Sequence, residues 1–271
     1  MLFPNLIIPQ KCVMAVVNCT PDSFYAQSRV NTVSVLEACR QHIKNGATIL
    51  DVGGYSSRPN ATHISVDEEL KRVIPIIETI KNEFPNCILS IDTFRKEVAE
   101  QAVKAGASIV NDISGGTLDP EMLTYVAAYK IPYVLMHMRG TVQTMQEHCT
   151  YTDLVEDIIN ETKDTIAFLK LNGVQVIFDP GFGFSKTLEQ NYELLQRLDE
   201  LLVLDCPILV GVSRKSMIYK LLEISAEDAL NGTTVVNSIA LQKGASILRV
   251  HDSKEAVQCV KICCKVNASY F

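Results

Sequence analysis

Asp92, Asn111, Asp179 and Lys215 mix hydrogen-bond acceptors with donors in a way that suits a planar heterocycle bearing both amino and carbonyl groups. Asn18, Ser57, Arg58, Arg249 and His251 add donors and positive charge, which suits phosphate. The stretch VIFDPGFGFSKTLEQN, residues 176–191, sits between these themes: a carboxylate, Asp179, stands where a strand should end, and a glycine-rich turn follows it. Such turns often cradle phosphate. The nucleotide-binding pattern, however, needs four residues between its glycines and then Gly-Lys-Ser/Thr, whereas here Ser185 precedes Lys186. Asp179 instead offers two acceptor oxygens that fit the parallel N–H donors of a 2-amino-4-oxopyrimidine edge. Gly181 and Gly183 let the backbone come close, and Phe184 supplies a flat wall. A heterocyclic substrate carrying phosphate is the simplest inference.

These residues need elements to hold them. Short apolar or β-branched runs read as strands at CVMAVVN, TILDVGG, CILSIDT, SIVNDI, YVLMH, VIFDPG, PILVGVS and ILRVHD. Between them, segments such as SVDEELKRVIPIIETIKNEF and YTDLVEDIINETKDTIAFLKLNG repeat apolar residues every three or four positions, as helices covering a sheet do. Gly46, Gly106, Gly173 and Gly244 each close a helix just before an alternate strand, so the chain reads as four βαβα quarters. The expected fold is α/β: a TIM (β/α)8 barrel, eight parallel strands each followed by a helix, in one domain over residues 1–271. An open doubly wound sheet is the rival arrangement. In a barrel all carboxyl ends of the strands face one mouth, so the polar residues that end them would converge there. Buried charges that close must be paired, hydrogen-bonded or met by a ligand.

Composition narrows the function. The 271 residues are 47% apolar and 21% charged, a globular balance, and the net charge of -6 argues against broad nucleic-acid binding. The N-terminal MLFPNLIIPQKCVMAVV is interrupted by Pro4, Asn5, Pro9, Gln10 and Lys11 and lacks a signal peptide's basic start, and no run has the length of a bilayer span. Nine cysteines without a CxxC pair fit a reduced, cytoplasmic protein better than a disulfide framework. Cys259 and Cys263, one helical turn apart, read as small apolar residues and only secondarily as metal ligands.

Several single residues have plain readings. His42, His63 and His148 are expected to be solvated, and His137, ending a strand, to be a hydrogen-bonded structural residue. Asp51, beside Gly53 and Gly54, is expected to anchor the loop that follows, and Asp67, Glu68 and Glu69 to open a helix on a wet face.

Seven blocks, VVNCTPDSF, ILDVGGYSSRP, SIDTFRKEVAEQAVKAGASIVNDISGG, LMHMRGTVQTMQ, FDPGFGFSKTLEQNYELL, LVGVSRKSMI and ILRVHD, resemble in order and spacing the signatures of the dihydropteroate synthase family. They run from about residue 13 to residue 252. The resemblance implies a (β/α)8 barrel, usually a homodimer, that joins 6-hydroxymethyl-7,8-dihydropterin diphosphate to p-aminobenzoate with Mg2+ assisting. Sulfonamides compete with p-aminobenzoate in that family. Carried over by position, Asp92, Asn111, Asp179 and Lys215 hold the pterin, and Ile113, Met136 and Phe184 line its pocket. Arg249 lies against the ring and, with His251, Asn18 and Arg58, faces the diphosphate. Asn18 also ligates Mg2+. Lys215 and Ser216 meet the aminobenzoate carboxylate, and Phe24, Ser57 and Pro59 sit on two loops completing that pocket. Arg249, His251 and Lys215 are thereby the catalytic candidates.

The first loop departs from the family: YAQSRV stands where Ser-Asp-Gly-Gly is common, and the second has Tyr55, Ser57 and Asn60 for Glu, Thr and Gly. Two other functions share the barrel and the pterin carboxylates, a methyltetrahydrofolate–corrinoid methyltransferase domain and a catalytically silent pterin-binding paralogue. The first lacks the Thr-Pro-Asp-Ser-Phe and Ser-Arg-Pro loops that this chain has.

Overall fold

The computed structural model describes residues 6–19, 29–56 and 63–268. Eight parallel strands close into a barrel in sequence order: β1 Cys12–Asn18, β2 Ile49–Gly53, β3 Ile88–Asp92, β4 Ile109–Asp112, β5 Tyr133–Met136, β6 Val176–Asp179, β7 Ile208–Val210 and β8 Ala245–Val250. Closure comes from β1 pairing with both β2 and β8, which excludes the open doubly wound sheet. Among the described residues no helix is long and apolar enough to cross a membrane.

Strand periodicity sorts the side chains into two apolar groups. Val13, Leu50, Leu89, Val110, Tyr133, Phe178 and Leu248 face outward into the layer shared with the helices. Met14, Ile49, Ile109, Val134, Ile177, Leu209 and Ile247 face inward and form a separate plug inside the barrel. Successive strand residues point to opposite faces, so the two sets interleave along each strand.

The covering helices, α1 Arg29–Asn45, α2 Val66–Glu83, α3 Lys96–Ala105, α4 Met122–Tyr129, α5 Leu154–Leu171, α6 Leu188–Gln196, α7 Ser216–Leu221, α8 Leu230–Gln242 and α9 Ser253–Ala268, begin and end where the sequence directs. Ser65 caps α2 (Val66–Glu83) by accepting from Glu68 N, and Val73, Ile77 and Ile80 supply its buried stripe. Asp153 caps α5 (Leu154–Leu171) through two backbone N–H groups. Gly46, Gly106, Gly173 and Gly244 all take positive φ, between 78° and 123°, the conformation that closes a helix ahead of a strand.

Three expectations need correction. The segment after β7 forms two helices, α7 (Ser216–Leu221) and α8 (Leu230–Gln242), where a single strand–helix repeat suggests one. β7 itself keeps only three residues of PILVGVS and meets β6 at one register pair, Phe178 opposite Ile208. Pro207 cannot donate to a ladder, and Gly211 begins the turn toward Lys215. Glu69 is not on a wet face: it is fully buried and pairs with Arg95 at 2.6 Å. Arg95 also donates to Ile64 O at 2.6 Å and approaches His63 Nε2 at 3.2 Å, which gives His63 a partner.

Candidate active site

Two positions along from the apolar plug, the inward residues turn polar. Ile49 leads to Asp51, Ile109 to Asn111, Ile177 to Asp179 and Ile247 to Arg249, and register places Asp92 beside Asn111 and Met136 beside Asp179. The convergence is direct. Arg249 on β8 donates from Nε to Asp51 Oδ2 on β2 at 2.7 Å and from Nη2 to Asp92 Oδ2 on β3 at 2.5 Å. Those strands lie two and three places around the wall, so the contacts span the barrel interior. Asn111 Nδ2 on β4 donates to the same Asp51 oxygen at 3.0 Å.

Asp51 is therefore a buried hub that ties Arg249 and Asn111, in place of the loop anchor expected for it. Its position beside two glycines disguised this, since Arg249 reaches it only when the barrel closes. Its second oxygen, Oδ1, is buried without a hydrogen-bond partner. Asp92 Oδ1 and Asp179 Oδ2 likewise accept nothing from the described residues. Among the described residues the mouth thus holds three carboxylates, Asp51, Asp92 and Asp179, against Arg249 and Lys215, with acceptor capacity left over.

That arrangement moves the acids and bases. Burial lifts the Asp92 carboxyl to about 7; Arg249 opposes the rise, while Asp51, Glu69 and Asp112 add to it. Asp179 is also raised by burial, against Lys215, the Gly181 N–H, Arg249 and Lys186. Burial lowers the Lys215 ammonium to about 8 despite Asp179 nearby. For Arg249 burial works against the charge, but Asp51 and Asp92 outweigh it and raise its pKa.

The glycine turn answers whether phosphate or a ring is served there. Gly181 N donates to Asp179 Oδ1 at 2.8 Å and Gly183 N to Asn191 Oδ1 at 2.6 Å, so both glycine N–H groups are spent inside the protein. No glycine N–H remains to cradle an anion. Lys215 Nζ donates to Phe182 O at 2.7 Å and stands 4.7 Å from the centre of the Phe184 ring. Phe184, Ile113 and Met136 fall into one buried apolar cluster with Met138, Val142 and Met145, forming one wall of the mouth.

The remaining candidates lie at the rim. Asn18 ends β1 opposite Gly53, and Ser216 opens α7 directly after Lys215. His251 follows β8, its backbone N–H donating to Ser213 Oγ at 3.2 Å. Phe24, Ser57, Arg58 and Pro59 lie outside the described residues. Asp112, adjacent to Asn111, points away from the mouth and closes its own turn, accepting from Ser114, Gly116 and the Tyr133 hydroxyl.

Sequence reasoning passed over Arg214. It adopts a left-handed φ of 54° and grips Asp252 with two bonds of 2.8 and 3.0 Å, fastening the β7 and β8 loops together beside His251 and Lys215. The usable signal was an arginine within SRK set against an aspartate within RVHD. The plain reading of His137 holds: it is buried, with Glu161 and Lys186 as partners.

The family described as pterin binding enzyme matches residues 14–251. A dihydropteroate synthase of Synechocystis is 43% identical over 92% of this chain and 88% of its own length. The folic acid synthesis protein fol1 of Pneumocystis carinii is also 43% identical over 92% of this chain, which spans 35% of that longer protein. Among solved structures, the Yersinia pestis dihydropteroate synthase with a sulfonamide drug superposes with a TM-score of 0.90 at 35% identity, covering 99% of each chain. The Xanthomonas albilineans dihydropteroate synthase with 4-aminobenzoic acid gives 0.86 at 36% identity, covering 96% of this chain and 94% of that one. The chain belongs to the pterin binding enzyme family, in its dihydropteroate synthase branch.

Proposed function

We propose that this protein joins 6-hydroxymethyl-7,8-dihydropterin diphosphate to p-aminobenzoate, forming 7,8-dihydropteroate and releasing diphosphate. The observation that carries the reading is the Arg249 bridge to Asp51 and Asp92 across the barrel, beside the open oxygen of Asp179. Asp179 and Asp92 accept the N–H groups of the pterin edge, Asn111 and Lys215 serve its carbonyl and ring nitrogens, and Ile113, Met136 and Phe184 flank the ring.

The route is dissociative. As the methylene C–O bond breaks, its electron pair leaves with diphosphate and positive charge spreads over the pterin. The carboxylate excess of the mouth stabilises that charge more than it stabilises the neutral substrate. Arg249, His251, Asn18 and Arg58 meet the departing anion. The neutral amine of p-aminobenzoate then forms the new C–N bond and sheds a proton, while Lys215 and Ser216 hold its carboxylate, with Phe24, Ser57 and Pro59 closing the pocket. No protein nucleophile takes part. Burial pushes the thiol of Cys19, the cysteine next to Asn18, up to about 12, far from a thiolate at neutral pH.

Mg2+ fits this donor set. The described residues contain no cluster of three His, Cys, Asp or Glu able to cage a metal, and the Asn18 carbonyl suits an ion held chiefly by substrate phosphates and water. When bound, it supplies charge that neutralises the leaving diphosphate.

The enzyme works in the cytoplasm, in keeping with its nine free cysteines. It works as a homodimer, residues 1–271 of each copy forming one barrel domain. Support for the dimer comes from the α7–α8 face, where Leu221, Leu222, Val235 and Ile239 are exposed. Gly232 lets α8 settle on α7, since a Cβ there would lie 2.4 Å from Ile218 and 3.0 Å from Leu222. Sulfonamides are expected to compete with the aminobenzoate.

Incubation with the pterin diphosphate, p-aminobenzoate and Mg2+ should release diphosphate stoichiometrically with dihydropteroate. Pterin binding without release would identify a silent paralogue instead. Asp179→Asn should weaken pterin binding by about 2 to 3 kcal/mol, because it turns a donor toward a buried N–H; equal affinity measured calorimetrically would contradict the assignment.

A further inference from the structure

Beneath the glycine turn lies a polar chain that the reaction above does not use. Lys186 is 3% exposed, and its Nζ reaches Gly181 O at 3.2 Å, Phe184 O at 3.1 Å and His137 Nδ1 at 3.1 Å. An ammonium has three N–H groups, and here it has three acceptors. His137 continues the chain through Nε2 to Glu161 Oε2 at 3.0 Å. Because a charged lysine only donates, Nδ1 of His137 must accept, which leaves the ring proton on Nε2 facing Glu161. Arg139 grips Glu161 and lies 3.9 Å from the centre of the Tyr151 ring, and the Tyr151 hydroxyl donates to Ser185 O at 3.0 Å. The chain thus closes on the turn where it began.

Lys186 fastens the carbonyls at the two ends of this turn, Gly181 and Phe184, and the mouth side of the turn lies between them. Gly181 N holds Asp179, Phe182 O holds Lys215, and Phe184 forms the apolar wall. The turn is also jammed against the end of β5, since a Cβ at Gly181 would sit 2.0 Å from His137 O. An apolar side chain could fill the volume of Lys186, but it would take this donor from the Phe184 carbonyl and leave Gly181 O with the Phe184 N–H alone.

We propose that Lys186 is a positioning residue for pterin recognition, acting through the turn at residues 181–184 and through its charge behind Asp179 rather than by touching the ligand. The inference rests on the pterin reading of Asp179. Burial pushes the Lys186 ammonium down to about 7, and Asp179 opposes that fall, while Lys215 and Arg139 add to it and Cys149 offsets it slightly. His137, itself lowered to about 4 chiefly by burial, and Glu161 complete the titratable surroundings. Deprotonation leaves two N–H groups for three acceptors and removes a cation behind Asp179. The share of pterin affinity due to Lys186 therefore declines as pH rises through neutrality.

The test is calorimetric binding of 6-hydroxymethylpterin, without diphosphate, between about pH 6 and pH 9. The parent protein, Asp179→Asn, Lys186→Met and Glu161→Gln are compared. Binding by the parent that Asp179→Asn weakens establishes the pterin reading; binding that Asp179→Asn leaves intact removes that reading and this inference with it. Given the reading, Lys186→Met should bind about tenfold more weakly near pH 6.5, with the gap narrowing toward pH 9. Asp92 and Lys215 titrate in both proteins, so the difference between the two profiles isolates Lys186. A Lys186→Met protein within about twofold of the parent at every pH would overturn the proposal. If that variant fails to fold, Glu161→Gln, at the half-exposed outer end of the chain, decides. It should weaken binding about two- to fivefold and displace the pH profile, and a superimposable profile would overturn the proposal equally.

Discussion

The inner wall of the barrel has two storeys built on the same strands. The lower, from Met14 and Ile49 round to Ile247, is a dry plug in which every side chain is at most 3% exposed. The upper carries Asp51, Asn111, Asp179 and Arg249 two residues further along, and Asp92, two residues past the buried Ser90, joins them beside Asn111. One pleat repeat separates close packing from a crowd of charges. The lower storey can be apolar because nothing but packing is asked of it. The upper one sits at the carboxyl ends of parallel strands, where loops are free to vary and ligands enter. The contrast teaches that this fold meets the cost of gathering charge by stacking it on a floor that contributes stability and no chemistry.

The contrast can be broken or sharpened by moving one storey's chemistry into the other. The harshest exchange is Ile177→Asp, which places a carboxylate one layer below Asp179 without a cation to meet it. It should cost more than about 4 kcal/mol, read by urea unfolding, and a stable variant would show that the floor is not dry. Next is Asp51→Ala, which strips the hub from Arg249 and Asn111 and should cost about 3 kcal/mol in the same measurement, less than a full orphaning because Asp92 still holds Arg249. Ile109→Val trims one methylene from the floor and should cost about 1 kcal/mol without altering turnover. A further effect is a slope. The folded Asp92 carboxyl is raised from 3.8 to about 7, so its contribution to stability is full below the unfolded value and is lost as pH climbs through about 7. Asp92→Asn should therefore lose less stability than the parent between pH 5 and pH 8, as followed by thermal melts.

Much of this was legible beforehand because buried parallel strands leave continuous apolar runs, and each run here ends in a polar residue. The convergence of Asp92, Asn111, Asp179, Lys215 and Arg249 needed only closure of the sheet. What stayed hidden depends on partners distant in the chain. Asp51 looks like a loop anchor until Arg249, almost two hundred residues later, arrives beside it. Glu69 looks solvated until Arg95 folds back over it. Lys186 registered only as a misfit to a nucleotide loop, because one of the acceptors that hold it buried is His137, far earlier in the chain. The early end of β7 could not be read either, because Pro207 and Gly211 flank a run whose composition still favours a strand.

One pairing noted above carries further. β6 and β7 touch at a single register pair, so the wall is least laced where the chain hands over from Asp179 to Lys215. A molecule grasped by both would act as the missing rung of that ladder. In such a vessel the cargo is also a stave: a ligand bridging Asp179 and Lys215 would tie the wall where its hoop is thinnest.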